Sequence, residues 1–141
     1  MYTFLSKNSN DTLEFAKNFA KDLTKGDIVV LIGDLGSGKT KFTEGILSYF
    51  GIQNEISSPT FTIVNEYNAT DIDIFHFDVY RLNNSYDFYN IGGEEYFSKG
   101  ICIIEWGEII EDALPNKYKK ITFERDLENE NYRKLIVENI N

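Results

Sequence analysis

Apolar and polar positions along this chain follow two periods, and the points where the period changes mark off strands from helices. The clearest strand signal is Asp27-Ile28-Val29-Val30-Leu31-Ile32, a continuous β-branched run of the kind a strand shows when both of its faces are buried. Ile101-Cys102-Ile103-Ile104-Glu105-Trp106 repeats that signature and ends in an acid. Leu13, Ala16, Phe19, Ala20 and Leu23 instead recur at helical spacing, behind the N-cap candidates Ser9, Asn10 and Asp11. Glu14, three residues after Asp11, suggests a capping box there. Thr24-Lys25-Gly26-Asp27 closes that helix and turns into the first buried strand.

Residues 40–49 predict a second helix, with Gly51 as its C′ residue. Residues 61–67 and 73–79 alternate as strands around Asn68-Ala69-Thr70-Asp71, the pattern of a hairpin. Asn83-Asn84-Ser85 can cap a short helix running to Tyr89, and Gly92-Gly93 then breaks the chain. Residues 108–114 predict one more helix, stopped before Pro115. Residues 121–124 and 135–137 predict two strands joined across a polar run, and residues 2–6 a short edge strand.

Between the first buried strand and the second helix lies Gly33-Asp34-Leu35-Gly36-Ser37-Gly38-Lys39-Thr40, which fits the phosphate-loop pattern G-x-x-x-x-G-K-[ST] at every required position. A strand that runs through a Gly-rich turn into a helix aims several backbone N–H groups, and the positive end of the helix dipole, at one point in space. Gly36 and Gly38 allow backbone conformations that a Cβ would forbid, and bare backbone from Leu35 to Gly38 can approach phosphate oxygens closely. Lys39 can reach the terminal phosphates as a point charge, and the Thr40 hydroxyl is placed to ligate Mg²⁺. The alternative is a chance Gly-rich turn; the full pattern in its strand–helix context favours a nucleoside triphosphate site.

Other candidates surround that loop. Ser57-Ser58-Pro59-Thr60-Phe61-Thr62 is a hydroxyl-rich segment of the kind that senses a terminal phosphate and its metal, or else an ordinary surface loop. His76, Asp78 and Tyr80 share one face of a strand by period two. His76 reads as a structural histidine, whereas the Asp78 carboxylate can orient water or hold a metal's hydration shell. Arg81 suits either a phosphate contact or a structural ion pair. Glu105, an acid delivered by the C-terminal end of an apolar strand, has the form of a Walker B metal residue; a solvent-facing glutamate is the alternative. Trp106 packs against either a nucleotide or the core. The polar groups ahead of the first helix, Ser9 among them, and Arg133 are carried as further nucleotide contacts, with simple capping as the other reading of Ser9. Asn116-Lys117-Tyr118-Lys119 is superficially like a guanine-reading motif but lacks its acid, so guanine specificity has no support.

Composition narrows the class. At 141 residues, with 11 Phe and 9 Tyr, the chain reads as one domain that buries a sizeable core. Its net charge of −9 argues against independent binding to nucleic acid, which needs a basic surface to neutralise phosphates. One cysteine, Cys102, sits in an apolar run and permits no intramolecular disulfide. No apolar run reaches membrane-spanning length and no charged leader precedes a long apolar region, so the expected location is the cytosol.

Together these segments resemble the TsaE family, also called YjeE, the small bacterial P-loop ATPases of tRNA threonylcarbamoyladenosine synthesis. The resemblance is carried by the phosphate loop, Ser58-Pro59-Thr60-Phe61-Thr62 with Val64 and Tyr67, His76-Phe77-Asp78-x-Tyr80-Arg81-Leu82, Glu95-Tyr96-Phe97 and Ile104-Glu105-Trp106. It spans roughly residues 9 to 137. It implies an α/β fold of the P-loop NTPase kind, a three-layer sandwich with a mainly parallel central sheet, and ATP with Mg²⁺ as ligand. Thr40 and Glu105 would bind the metal, Asp78 with Lys39 would serve catalysis, and the 58–62 loop would be the switch beside the γ-phosphate. The implied partners are TsaB and TsaD, of which TsaD transfers the threonylcarbamoyl group to adenosine beside the anticodon, so tRNA would be met only through them. Ser37 stands where the family commonly has alanine, and Gly92-Gly93-Glu94 varies the motif before Glu95.

Two rival readings remain at this level. A small P-loop kinase would need several arginines and a lid, whereas this chain has only Arg81, Arg125 and Arg133 and no long insertion. A nucleotide-gated interaction module with incidental hydrolysis would use the same residues as the ATPase.

Overall fold

The two continuous apolar runs lie side by side at the centre of one sheet. A computed structural model of the chain describes residues 1–34, 36–53 and 63–141. In chain order the elements are β1 (Tyr2–Ser6), α1 (Ser9–Ala20), β2 (Ile28–Ile32), α2 (Lys39–Tyr49), β3 (Val64–Asn68), β4 (Asp73–Asp78), α3 (Ser85–Asn90), a 3₁₀ turn (Gly93–Tyr96), β5 (Ile101–Glu105), a second 3₁₀ segment (Gly107–Ala113), β6 (Tyr118–Arg125) and β7 (Arg133–Ile140). The seven strands are ordered β1-β7-β6-β2-β5-β4-β3. β2 runs parallel to both β5 and β6, and β4 runs parallel to β5. Each flank is antiparallel, with β3 on β4 at one end and β1 on β7 on β6 at the other. The expected mainly parallel sheet is therefore a mixed one, parallel across its four middle strands. Parallel neighbours need a crossover, and the short β3–β4 and β6–β7 links permit only antiparallel return, while β1 pairs with β7 from the far end of the sequence.

Burial follows the predicted patterning. Val29, Leu31, Ile103, Ile121 and Phe123 face one side, where Ala16, Ala20, Phe42 and Ile46 of α1 and α2 cover them. Ile28, Val30, Phe75, Phe77 and Ile104 face the other, against Phe88 of α3 and Ile110 of the second 3₁₀ segment. Helical elements thus lie on both faces of the sheet, and β2, with both faces buried, is its middle.

Several boundaries differ from expectation. The N-cap of α1 is Asn8, whose side chain accepts from Asp11 N at 2.8 Å, while Asp11 Oδ2 accepts from Lys7 N at 3.0 Å. The cap lies earlier than the suggested Asp11–Glu14 box because Ser6 at the end of β1 ties down the entry: its hydroxyl donates to Asn8 O at 2.8 Å and lies 2.6 Å from Thr12 Oγ1. The helix expected over 108–114 is 3₁₀ in type, and Ile110 departs from helical geometry at φ −116° and ψ 27°. It starts in a turn too tight for an α-helix: Trp106 has φ 65°, and a Cβ on Gly107 would fall 2.6 Å from Val30 Cγ1. The stop before Pro115 holds, with Leu114 extended. β6 and β7 are longer than their apolar centres suggested, since cross-strand pairs such as Lys120 with Glu138 and Glu124 with Lys134 extend the ladder through polar positions. β4 ends at Asp78, so Tyr80 lies beyond the strand. Gly51, at φ 83°, is the left-handed residue after α2 as expected. No helix among the described residues is long and apolar enough to cross a membrane.

Two outcomes follow from this packing. A Cβ on Gly45 of α2 would lie 2.5 Å from Ala16 Cβ and 2.6 Å from Leu13 O of α1, so Gly45→Val should cost about 1–3 kcal/mol in urea unfolding, as overpacked core positions do. The Cys102 thiol is pushed up from 9.0 to about 12 by burial. It should therefore resist a disulfide reagent at pH 8 until the chain unfolds. A thiol whose pKa is raised by folding stabilises the native state below its unfolded pKa, so that contribution should fall away as pH rises from about 9 toward 12.

Candidate functional site

β2 ends at Ile32 and α2 begins at Lys39, so the six residues between them must reverse the chain inside about one turn of backbone. Gly36 at φ 75° and Gly38 at φ 106° supply the left-handed geometry. Gly33 has no room for a side chain, because a Cβ there would fall 2.7 Å from Ser37 Oγ and 3.0 Å from Phe123 Cβ. Gly38 has no side chain with which to cap α2, and no side-chain cap is made there among the described residues, so the first N–H groups of the helix suit a ligand on the loop side. Ser37 is 1% exposed, and its Oγ has no hydrogen-bond partner among the described residues. Lys39 is buried; its Nζ donates to Gly33 O at 2.6 Å and lies 4.5 Å from the Trp106 ring centre. An ammonium has three donors, so Lys39 keeps donor capacity for an incoming anion. Thr40, on the first turn, is exposed.

The parallel register sets the acids beside this loop. Leu31 of β2, Glu105 of β5 and Asp78 of β4 are successive partners across the three strands. Neighbouring strands lie about 4.8 Å apart, and residues in register project to the same face. That face is the one covered by α2, since Ile74 on β4 and Ile103 on β5, two residues back from His76 and Glu105, belong to its core. Glu105 is 6% exposed and His76 1% exposed, and Glu105 Oε2 meets His76 Nε2 at 2.6 Å. His76 Nδ1 has no partner among the described residues. The histidine expected to be structural thus holds the acid expected to be functional through one of its two oxygens, Oε2. Asp78 is half-buried and folds over its own chain, its Oδ1 accepting from Tyr80 N at 3.0 Å.

Two clefts open on either side of the loop. One, of about 530 Å³, is lined by Asp34, Asp78, Tyr80, Trp106 and Arg125. The Tyr80 and Trp106 rings pack at 4.9 Å, forming a wall above Lys39. Trp106 takes its place through a left-handed backbone, a conformation that costs a non-glycine residue of order 1–3 kcal/mol and is found where function holds it. The other cleft, of about 540 Å³, is lined by Asn8, Ser9, Thr12, Gly36, Gly38 and Arg133, with the turn between β6 and β7. Arg133 donates to the carbonyls of Glu130, Tyr132 at 2.8 Å and Gly36 at 3.2 Å.

The structure therefore brings Gly36, Ser37, Gly38, Lys39 and Thr40 together with Glu105 and Asp78, and puts Ser9 and Arg133 on the loop's other side. Leu35, Thr60 and the 58–62 segment lie outside the described residues. Lys117 lines a cleft with Gly26 and Asp27 at the start of β2, the opposite end of the sheet from the loop, which removes any guanine-reading role for that stretch. Arg125 and the His76–Glu105 contact were not singled out from sequence, because both depend on which strands pair.

An α/β protein with a phosphate-loop pattern joining its central parallel strand to a helix is the class these features define. A sequence model of the family described as threonylcarbamoyl adenosine biosynthesis protein TsaE matches residues 6–135. Proteins named tRNA threonylcarbamoyladenosine biosynthesis protein TsaE are similar in sequence. The one from Bacillus subtilis is 40% identical over 119 residues, covering 84% of this chain and 74% of its own, and that from Treponema pallidum is 41% identical over 112 residues, covering 79% and 82%. The crystal structure of Bacillus subtilis YdiB superposes with a TM-score of 0.83 at 33% identity, covering 99% of this chain and 86% of that one. The chain belongs to the TsaE family.

The buried pair gives a direct test of the site's construction. His76→Ala leaves the Glu105 carboxylate buried without its partner and should lower stability by about 3 kcal/mol in chemical denaturation, with His76→Gln recovering part of the loss.

Proposed function

We propose that this chain is a P-loop ATPase of the three-layer sandwich kind, one domain in the cytosol, that binds Mg²⁺ and ATP and hydrolyses ATP in the service of tRNA threonylcarbamoyladenosine synthesis. The observation that carries the reading is the phosphate loop itself: among the described residues its helix N-terminus has no side-chain cap, its Ser37 hydroxyl is buried without a partner, and its buried Lys39 has donors to spare. A polyphosphate satisfies all three. The family membership supports the pathway.

The residues fit a magnesium ion bound in the usual way, by one or two protein oxygens with phosphate and water completing the shell. Thr40, exposed on the first turn of α2, and Glu105, fixed by His76, would hold it. When bound, Mg²⁺ supplies positive charge against the β- and γ-phosphates. Lys39 moves from Gly33 O and the Trp106 ring onto the terminal phosphates. Asp78, half-buried in the cleft beside Trp106, orients the attacking water. Ser9 and Arg133, in the opposite cleft, would meet the nucleoside, with Gly36 and Gly38 following the phosphates; Leu35 and Thr60, outside the described residues, are carried as further nucleotide contacts on the family resemblance alone.

The partners are TsaB and TsaD, of which TsaD performs the transfer, and they carry the tRNA; a chain of net charge −9 is unsuited to hold tRNA itself. Hydrolysis by the chain alone is slow and rises on assembly with them. The test is ATP turnover with and without TsaB, TsaD and tRNA for wild type, Lys39→Ala, Asp78→Ala and Glu105→Ala. Each variant should lose partner-stimulated turnover by about 100-fold or more, with Asp78→Ala still binding ATP. Turnover that ignores the partners and survives Asp78→Ala would contradict the reading, and stimulation by a small hydroxylated acceptor would favour a kinase.

A further inference from the structure

This chain has few arginines, and two of its three, Arg125 and Arg133, converge on one glycine of the phosphate loop. Arg125 ends β6, Arg133 begins β7, and they are cross-strand partners. Residues opposite each other on an antiparallel pair project to the same face, here the face that carries Phe123 and Leu135 toward α2 and the loop. Arg133 reaches Gly36 O from the cleft shared with Ser9. Arg125 reaches the same residue from the other side: a Cβ built on Gly36 would fall 2.7 Å from Arg125 Nη2 and 3.8 Å from its Cζ. Its guanidinium therefore lies on the bare α-carbon of Gly36, in the wall of the cleft that holds Asp34, Asp78, Tyr80 and Trp106.

The charges of that cleft assign the arginine a task. Apart from Arg125, the charged side chains lining it among the described residues are two carboxylates, Asp34 and Asp78. Lys39, under the Trp106 ring, would draw a terminal phosphate toward this space, where two carboxylates repel it. A guanidinium at the loop glycine offsets that repulsion and presents a planar fork of donors, the geometry that matches phosphate oxygens.

We propose that Arg125 is a catalytic arginine supplied by this chain to its own active site, contacting the γ-phosphate of ATP as charge redistributes during hydrolysis; the proposal rests on the ATPase reading above. In the step it serves, a water oxygen forms a bond to the γ-phosphorus while the bond from that phosphorus to the bridging oxygen breaks. The electron pair of the broken bond leaves with ADP, one water proton stays on inorganic phosphate, and the other passes by way of Asp78 to solvent. Arg125 stabilises the oxygens on which negative charge builds, a contribution greater in the transition state than in bound ADP. Arg133, engaged with three backbone carbonyls, instead fixes the loop and the turn after β6.

The experiment is single-turnover hydrolysis of Mg·ATP by the full chain, with equilibrium binding of ADP and of ADP with aluminium fluoride, for wild type, Arg125→Ala and Arg125→Lys. Arg125→Ala should lower the hydrolysis rate by about 100-fold or more and abolish the extra affinity that aluminium fluoride confers. Its ADP affinity should stay within about threefold of wild type, a split that a role in shaping the loop would not produce. Arg125→Lys should recover only part of the rate, because an ammonium lacks the fork. A wild type whose hydrolysis is lost in Lys39→Ala but unchanged in Arg125→Ala would overturn the arginine alone. Equal losses of ADP affinity and rate would also overturn it, reducing Arg125 to a loop contact. A wild type with no Lys39-dependent hydrolysis would overturn the ATPase reading and the arginine with it.

Discussion

The close junction of β2 with α2 is the constraint on which the rest of the structure depends. Six residues turn the chain from the end of a fully buried strand into an uncapped helix, and they manage it only because Gly36 and Gly38 take left-handed backbones and Gly33 leaves room for Ser37 and Phe123. The strand must be central for this to work. With β5 on one side and β6 on the other, both parallel to it, the ends of β2, β5 and β4 deliver Glu105 and Asp78 to the loop, and β6 delivers Phe123 and Arg125. Antiparallel strands at the flanks close the sheet without disturbing that end.

Buried polar contacts hold the site without a ligand. Lys39 is held by a backbone carbonyl and an aromatic ring, and Glu105 by His76, so each functional group that would be costly to bury alone has one partner and spare capacity for another. Among the described residues three buried side-chain atoms lack a hydrogen bond, Ser37 Oγ, His76 Nδ1 and Glu94 Oε2; of these Ser37 Oγ lies in the phosphate loop and His76 holds the neighbouring acid. An orphaned buried polar atom is ordinarily a defect that selection removes, and its position inside a phosphate loop gives it a reason to persist.

Much of this was legible in the sequence because it is local. β2, β5, α2, the hairpin of β3 and β4, and the Asn84 cap of α3 follow from periodicity and turn chemistry that act within a few residues. The positions of the candidates Lys39, Thr40, Asp78 and Glu105 were readable for the same reason, each being a fixed offset from a strand end or a glycine. What sequence could not supply is pairing. The His76–Glu105 contact joins residues on different strands, the meeting of Arg125 and Arg133 at Gly36 requires the β6–β7 register, and β1 pairs with β7 across nearly the whole sequence. The 3₁₀ geometry after β5 was hidden as well, since the tight turn at Trp106 arises from Gly107 pressing on Val30, a contact between separate strands' surroundings. An arginine count says nothing of placement, and it is the β6–β7 pairing that puts two of the three arginines at Gly36.

The central claim is that the β2–α2 junction is a polyphosphate site whose Lys39 leaves Gly33 and Trp106 for the ligand. Calorimetric titration of the chain with Mg·ADP, beside Lys39→Ala, tests it most directly. The account predicts one-to-one binding by wild type and a loss of affinity of about 100-fold or more in the variant, as befits removal of a charged hydrogen-bond donor from a phosphate. Absence of binding by wild type, or equal affinity in the two chains, would contradict it.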